Sequence, residues 1–401
     1  MTTTGFFVKI PSDKPKRFFR DQSFSAKRKM KNKAELERNF IMSANKTVAE
    51  QHEIIGNSGN SKEIVFKRTE HPGAKWFFQP VNLGLFIHYG ISAVHEDLDI
   101  SWGMMENPER RKKKNGIVTP REYWALAEKF NPDQYRPEEW LSAAKEAGFS
   151  YAILTTKHHD GFSLWPSEAS DFSTKNYLNG RDLVKEYVDA CRKLGLKVGF
   201  YYSPPDWRIN QKYMSFMNSS RSVAYPDRLH KDIDHNDIPG ELPEMPKEHY
   251  DRYIEYINAQ VRELLTNYGQ IDLFWFDGSV KDITNVITAE EMRALQPQMV
   301  INDRLWGFGV GDYCSQYECR LPKEDPGMPW ETCHIWHVGG GWSYVKNADK
   351  YRDISITMQQ YETCKKWGGN LLLNIAPRAD GSVPEAYYQA VREFGEAVKK
   401  L

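Results

Sequence analysis

The sequence predicts an α/β fold, a single (β/α)8 barrel. Three observations lead to this prediction. The 401 residues exceed the roughly 250 that such a barrel needs. From about residue 75 onward, short apolar runs alternate with amphipathic helical stretches, and the runs are continuous rather than alternating, as in strands buried on both faces. No GxGxxG motif opens a helix, which counts against a dinucleotide-binding open sheet.

The predicted units follow one another regularly along the chain. They begin with the strand "LGLFIHYG", the helices "PREYWALAEKF" and "PEEWLSAAKEAG", the strand "YAILTTKHH" and the helix "RDLVKEYVDACRKLG". They continue with "LKVGFYYS", the helix "EHYDRYIEYINAQVRELLTNYG" and the strands "IDLFWFDG", "QMVINDR" and "NLLLNIAP", and "EAYYQAVREFGEAVKKL" closes the fold. Two long polar stretches, residues 95–118 and 208–246, are predicted to be functional loops at one end of the barrel.

The first part of the chain differs in character from the rest. Residues 1–65 have no sustained helical or strand period and are rich in Lys, Ser and Asn. We therefore predict a basic, loosely ordered extension over 1–65 and a catalytic barrel over 66–401, with no second domain after the closing helix. The start of the chain lacks the apolar centre of a secretory signal, so a cytoplasmic location is the default expectation.

Composition excludes several classes of partner. Lys plus Arg (54) balances Asp plus Glu (54), so no global charge attracts nucleic acid or an anionic membrane. No apolar run approaches the roughly 18 residues of a membrane helix. The five cysteines have no CxxC spacing, which indicates neither a disulfide framework nor a structural zinc site. The 12 tryptophans and 21 tyrosines suit stacking on the apolar faces of sugars.

Polar residues recur where the predicted strands end. In a β/α barrel that end is the catalytic face, so these side chains should converge on one pocket although they are distant in sequence. A plain turn would more often use Gly, Asn or Ser. The residues concerned are His88, Lys157, His158, His159, Tyr202, Ser203, Asp277, Asp303 and Arg304.

A metal site and a glycosidase site are the two chemistries considered for this face. His158 and His159 are adjacent, and adjacent residues on a regular strand face opposite ways, so we expect them to be poor partners for one ion. We therefore do not predict a metal site from these residues. Asp277 follows the aromatic run "LFWF" and precedes glycine; it is either an Asp-Gly turn or one of the two carboxyl groups of a glycoside hydrolase.

Seven segments in order resemble the catalytic domain of the α-L-fucosidases of glycoside hydrolase family 29. They are "KWFFQPVNLGLFIHYG", "TTKHHDGFSLWPS", "YYSPPDW", "LFWFDG", "INDR", "MPWETC" and "GGNLLLNIAPRADGSVP". The resemblance implies a distorted barrel and retaining, exo-acting hydrolysis of terminal α-L-fucosyl residues through a covalent glycosyl-aspartate. It also implies no metal or organic cofactor, and a fucosylated oligosaccharide or glycoconjugate as substrate. The family's usual C-terminal β-sandwich has no counterpart here.

The resemblance assigns roles to particular residues. The nucleophile is Asp277. The preferred general acid/base is Glu318, because it lies in a predicted loop rich in Tyr, Ser and Gln, and the alternative is Glu331, between Trp330 and an apparent strand. The sugar-binding positions are His88, Trp102, His158, His159, Tyr202, Trp275, Arg304 and Trp342.

Three departures from the family pattern leave other functions open. Tyr89 replaces a usual tryptophan, Ser101 precedes Trp102 where many relatives have a Glu-Trp pair, and "GWSY" replaces Trp-Gly-Tyr. A related α-L-glycosidase such as an α-L-galactosidase, a non-catalytic sugar-binding homologue and a metal-dependent barrel hydrolase are the alternatives. The sequence also leaves homo-oligomerisation open.

Overall fold

The computed structural model describes residues 74–79, 81–108, 116–219, 221, 225–306, 310–346 and 348–401. The predicted extension, residues 1–65, and its boundary with the barrel lie outside the described residues. Within the described part of the chain, no helix is both long enough and apolar enough to cross a bilayer.

Eight parallel strands form one sheet in the order β7-β6-β3-β2-β1-β10-β9-β8. A further pair, β4 and β5, makes a small antiparallel hairpin inside the long loop after β3. The strands are β1 (Leu83–Ile87), β2 (Tyr151–Lys157), β3 (Lys197–Tyr202), β4 (His230–Lys231), β5 (Asp237–Ile238), β6 (Leu273–Phe276), β7 (Val300–Ile301), β8 (Cys314–Glu318), β9 (Trp330–Ile335) and β10 (Asn370–Ile375). The predicted α/β barrel is therefore confirmed.

The barrel closes through a weak seam between β7 and β8. A single isolated parallel bridge joins Asn302 to Tyr313. The amide of Asn302 donates to Oγ of Ser315 at 3.1 Å, and the backbone N–H of Asp312 donates to the carbonyl of Ile301 at 2.8 Å. Because β7 has only two residues, this seam lacks the continuous ladder of the other strand pairs, and the barrel is distorted there.

Helices surround most of the barrel but not all of it. They are α1 (Pro120–Trp124), α2 (Pro137–Glu146), α3 (Thr174–Tyr177), α4 (Leu183–Leu194), α5 (Lys247–Thr266), α6 (Ala289–Leu295), α7 (Ile354–Trp367) and α8 (Glu385–Val398). Short 3-10 helices span Ile91–His95, Ile100–Met104 and Ala125–Lys129. Among the described residues, neither the connection from β7 to β8 nor that from β8 to β9 contains a helix.

Helix α4 illustrates how local sequence sets these elements. Asp182 accepts from the backbone N–H of Lys185 at 2.8 Å and caps the first turn. The inward face of the helix carries buried apolar residues, among them Tyr187 and Val188. Gly195, with a φ of 66°, ends the helix in the left-handed conformation that glycine adopts without strain.

The lower interior of the barrel is filled by large polar-tipped side chains. Tyr151 on β2 lies against Gly84 on β1, where a Cβ atom would come within 2.2 Å of the tyrosine ring. Glycine therefore leaves the space that Tyr151 needs to cross the interior. Its hydroxyl donates to Oε2 of Glu331 on β9 at 2.6 Å. This buried pair forms part of the floor beneath the carboxyl ends of the strands.

Candidate active site

One pocket opens at the carboxyl ends of the strands. Eight of the eleven predicted site residues line it: His88, Trp102, His158, Trp275, Asp277, Arg304, Glu318 and Trp342. Phe86, Tyr201 and Cys333 line it as well, although sequence reasoning had not selected them. Three predicted residues, His159, Tyr202 and Glu331, do not line the pocket.

Asp277 follows β6 and has both carboxylate oxygens engaged. Oδ2 accepts from the hydroxyl of Tyr201 at 2.6 Å, and Oδ1 accepts from Nη1 of Arg304 at 2.7 Å. Nε2 of His159 lies 3.5 Å from Oδ2. The carboxylate is therefore fixed in orientation at the pocket wall, as an attacking nucleophile requires.

Arg304 connects Asp277 to Glu318. Its Nη2 donates to Oε2 of Glu318 at 2.8 Å and to the carbonyl of Ser315 at 2.9 Å. Burial opposes the charged form, but the carboxylates of Glu318 and Asp277 outweigh it and raise the pKa of Arg304 above its ordinary value. A single permanent cation therefore holds both carboxyl groups at one side of the pocket.

Glu318 is the last residue of strand β8, which corrects the prediction that it lies in a loop. Its position is set by pairing with β9, where Glu318 is opposite Cys333, another pocket residue. The strand was not recognised because "CSQYE" is polar, although most of it is buried. Glu318 thus reaches the pocket from a fixed strand end.

Glu331 occupies the interior below the pocket. Oε1 accepts from the indole N–H of Trp275 at 3.0 Å, and Oε2 accepts from the hydroxyl of Tyr151. Only 1% of the residue is exposed. Burial raises the pKa of Glu331 to about 7, against the opposing effect of the hydrogen bonds from Tyr151 and Trp275.

His88 is a hydrogen-bond acceptor toward the pocket. The amide of Asn374 donates to the carbonyl of Trp342 at 2.7 Å, so its oxygen faces Nδ1 of His88 at 2.6 Å. Nδ1 must therefore carry the proton, and Nε2 presents a lone pair. Burial lowers the pKa of His88 to about 4, which keeps the ring neutral near pH 7.

The hydrogen bonds of His159 fix its tautomer as well. The hydroxyl of Ser203 donates to the carbonyl of Pro205 at 2.7 Å and accepts from Nδ1 of His159 at 2.5 Å. Burial places the pKa of His159 well below its ordinary value. Its Nε2 is therefore a buried acceptor that faces Asp277 and has no hydrogen-bond partner among the described residues.

Ser101 fixes the third histidine. Its Oγ lies 2.7 Å from Nδ1 of His158 and accepts from the backbone N–H of Asp160 at 2.9 Å. The His158 ring stacks on Tyr201, with ring centroids 5.4 Å apart and planes within 1°. The serine that departs from the family pattern therefore orients a pocket histidine and does not itself line the pocket.

The argument that His158 and His159 point apart is wrong. Their ring centroids are 4.2 Å apart, and ligand atoms of His158, His159 and Asp277 all lie within 4.8 Å of one another. Strand β2 ends at Lys157, and its register shifts after Thr155, so the alternation of a regular strand does not extend to the histidines. The arrangement could hold a metal ion, although Arg304 would place a positive charge beside it.

Tyr202 points away from the pocket, and Tyr201 takes the place predicted for it. The hydroxyl of Tyr202 donates to Oε1 of Gln260 at 3.0 Å, and Nζ of Lys157 lies 4.6 Å from the centroid of its ring. The register of the sheet explains this, because Tyr201 pairs with Trp275 and Asp277 lies two residues further on the same side of its strand.

Comparison with known proteins identifies the family of this chain. The family model described as Alpha-L-fucosidase matches residues 49–400. The chain belongs to the α-L-fucosidase family. These proteins are glycoside hydrolases, so the barrel is a glycosidase barrel.

Individual fucosidases agree with this assignment. The chain is 36% identical to alpha-L-fucosidase 1 of Arabidopsis thaliana, over 79% of this chain and 57% of the relative. It is 23% identical to the alpha-L-fucosidase of Dictyostelium discoideum, over 80% of this chain and 68% of the relative. The chain thus spans about two thirds or less of the length of these two relatives.

Solved fucosidases share the fold. Alpha-L-fucosidase isoenzyme 1 from Paenibacillus thiaminolyticus superposes with a TM-score of 0.64 at 33% identity, over 82% of this chain and 75% of that chain. A family 29 α-L-fucosidase from Bacteroides thetaiotaomicron superposes with a TM-score of 0.63 at 25% identity, over 85% of this chain and 76% of that chain.

Proposed function

We propose that this chain is a retaining, exo-acting α-L-fucosidase that removes terminal α-L-fucosyl residues through a covalent glycosyl-aspartate. The observation that carries the proposal is the pair of carboxyl groups, Asp277 and Glu318, held by one guanidinium at the wall of the pocket. A fucosidase from Bacteroides thetaiotaomicron, 24% identical, has been trapped as a covalent intermediate with 2-fluoro-fucosyl fluoride in a Glu→Gln variant. A carboxylate nucleophile and a separate glutamate fit that chemistry.

In the first step, Asp277 attacks the anomeric carbon while Glu318 gives its proton to the departing glycosidic oxygen. The aglycone leaves as an alcohol, and fucose is esterified to Asp277. In the second step, Glu318 takes a proton from water, and the resulting hydroxide displaces Asp277 from the anomeric carbon. Arg304 contacts both carboxyl groups, so it stabilises the negative charge that appears on Glu318 as its proton leaves.

Two neutral histidines, His88 and His158, and several aromatic rings line the pocket and suit a sugar with one apolar face. His88 presents Nε2 to the pocket as an acceptor, and only donors such as sugar hydroxyls satisfy an acceptor. The aromatic lining residues are Phe86, Trp102, Tyr201, Trp275 and Trp342. They give the pocket apolar surfaces on which the C–H face of a pyranose can stack.

Two substitutions separate the proposed nucleophile from the proposed acid. Asp277→Ala and Glu318→Ala should each reduce turnover of an aryl α-L-fucoside by about 10³-fold or more. Azide should rescue Asp277→Ala with a β-fucosyl azide product, because azide then attacks the substrate directly from the opposite face. It should rescue Glu318→Ala with an α-fucosyl azide, because azide then attacks the covalent intermediate. Full activity of Asp277→Ala would refute the nucleophile assignment.

The identity of the sugar requires a separate test. α-L-galactosides differ from α-L-fucosides only in the substituent at C5, where a hydroxymethyl group replaces a methyl group. Assaying aryl glycosides of L-fucose, L-galactose and D-arabinose side by side should give the highest kcat/KM for the fucoside. Binding of fucose without turnover of any of the three would instead favour a non-catalytic sugar-binding protein.

A further inference from the structure

Glu331 is buried beneath the pocket, and the mechanism above does not use it. We propose that Glu331 is a positioning residue that fixes the indole of Trp275 from below, and through Trp275 sets the geometry of Arg304 and Asp277. This inference rests on the proposed function, since it concerns the same catalytic carboxylates. It also replaces the alternative assignment of Glu331 as the general acid, because Glu331 does not line the pocket.

Trp275 contacts Tyr201 and Arg304 through its ring and Glu331 through its indole N–H. Its ring stacks on Tyr201 with centroids 5.5 Å apart and planes at 17°, and Cζ of Arg304 lies 4.2 Å from its ring centroid. Its indole N–H donates to Oε1 of Glu331 at 3.0 Å. The hydrogen bond to Glu331 therefore fixes the rotation of a ring that packs against two other site residues.

Among the described residues, Tyr201 and Arg304 donate side-chain hydrogen bonds to Asp277. Both of them pack on Trp275. A change in the tilt of the indole would shift the two donors together, and the orientation of the nucleophile would change with them. Misplacement by about 1 Å can cost an enzyme on the order of 10²-fold in rate.

The charge of Glu331 affects the contacts that Trp275 makes. An ionised carboxylate is a stronger acceptor for the indole N–H than a protonated one, and it makes the face of the ring more attractive to the Arg304 guanidinium. The titratable groups that surround Glu331 come from several elements: Tyr151, Arg304, Tyr313, Cys333 and Cys364. Since burial raises the pKa of Glu331 to about 7, its charge changes within the range in which enzymes are usually assayed.

The chain offers a matched control for this contact. Glu263 accepts from the indole N–H of Trp165 at 2.8 Å and from the hydroxyl of Ser167 at 2.7 Å. Trp165 is buried but does not line the pocket. Glu263→Leu removes the same type of hydrogen bond without touching the site, along with contacts from the backbone N–H groups of Glu168 and Ala169, and it reports the structural cost of such a change.

The experiment compares Glu331→Leu, Glu331→Gln and Glu263→Leu with the wild-type protein on an aryl α-L-fucoside from pH 5 to 8.5. Glu331→Leu should lower kcat/KM about 10- to 100-fold, while Glu263→Leu stays within about twofold. Glu331→Gln keeps a neutral oxygen acceptor for Trp275, so its kcat/KM should lie above that of Glu331→Leu and match that of wild type below about pH 6. Wild type should lose kcat/KM as the pH falls through about 7, and Glu331→Gln should lack this loss.

A second readout does not depend on turnover. The indole N–H hydrogen-bond band in ultraviolet resonance Raman spectra should differ between pH 6 and pH 8.5 in wild type, and the difference should be absent in Glu331→Gln. The inference would be overturned if Glu331→Gln lost kcat/KM at low pH in the same way as wild type. Equal kcat/KM in Glu331→Leu and Glu263→Leu would also overturn it. If wild type cleaves no fucoside but the Raman difference is present, the contact stands and the proposed activity fails.

Discussion

The hydroxyl of Tyr201 donates to Oδ2 of Asp277 at 2.6 Å, whereas the hydroxyl of the next residue, Tyr202, donates to Gln260 outside the pocket. Two adjacent tyrosines therefore provide a matched pair for mutagenesis. Tyr201→Phe removes a donor to the nucleophile and should lower kcat/KM for an aryl α-L-fucoside by about 10- to 100-fold.

Tyr202→Phe is the control for that substitution. It removes a buried hydroxyl of the same kind, so it should cost a similar amount of stability but leave kcat/KM within about threefold. The two variants are compared by steady-state kinetics and thermal unfolding. If Tyr202→Phe lowered kcat/KM more than Tyr201→Phe, Tyr201 would not be the tyrosine that orients the nucleophile.

Ser101 should act through His158. Ser101→Ala removes the contact that orients the imidazole, so we expect kcat/KM to fall about 5- to 20-fold, mainly through a higher KM. Ser167→Ala is the control, because Ser167 is a buried serine whose hydroxyl bonds Glu263 away from the pocket. If both variants bind substrate equally well, the orienting role of Ser101 is refuted.

The raised pKa of Glu331 has a consequence for stability. A carboxyl group whose folded pKa lies above its unfolded value of 4.5 stabilises the fold below pH 4.5, and this contribution is lost as the pH rises to about 7. Urea unfolding at pH 5 and pH 7.5 should therefore show wild type losing on the order of 1–3 kcal/mol relative to Glu331→Gln. A parallel pH dependence in the two proteins would contradict the prediction.

Chelation tests the cluster of His158, His159 and Asp277. Because Arg304 already donates to Asp277, a divalent ion would experience repulsion from a fixed cation, and we expect dialysis against EDTA to leave kcat/KM unchanged. Metal content measured on the dialysed protein is the control. Loss of activity that zinc or manganese restores would favour the metal-dependent hydrolase instead.

Much of the fold could be predicted because buried parallel strands have continuous apolar sequences. The runs that become β1, β2, β3, β6 and β10 are of this kind, and each is a strand. Strand β8 was missed because "CSQYE" carries polar side chains that bond within the barrel or line the pocket. The connections before and after β8 contain no helix among the described residues, so the alternation of strand and helix sequences did not predict them.

The sequence predicted which strand ends meet at the site. It predicted less well which side chains point into the pocket. Asp277, Arg304 and Glu318 meet as the resemblance implied, although their catalytic roles stay predictions. The sequence did not determine which of the adjacent residues Tyr201 and Tyr202 faces the pocket, because the alignment of β3 with β6 could not be inferred from it. The link from Glu331 to Trp275 joins residues 56 positions apart, and no local pattern indicates it.

The pairing of β1 with β10 sets an order for assembly of the enzyme. Leu83 lies opposite Leu371, so the first strand of the barrel obtains this neighbour only when the last one has been synthesised. His88 also requires β10, because Asn374, the residue that sets the tautomer of His88, lies on that strand. On the ribosome, the growing chain therefore carries an open sheet with an incomplete pocket until β10 has emerged, and activity should appear only after that point.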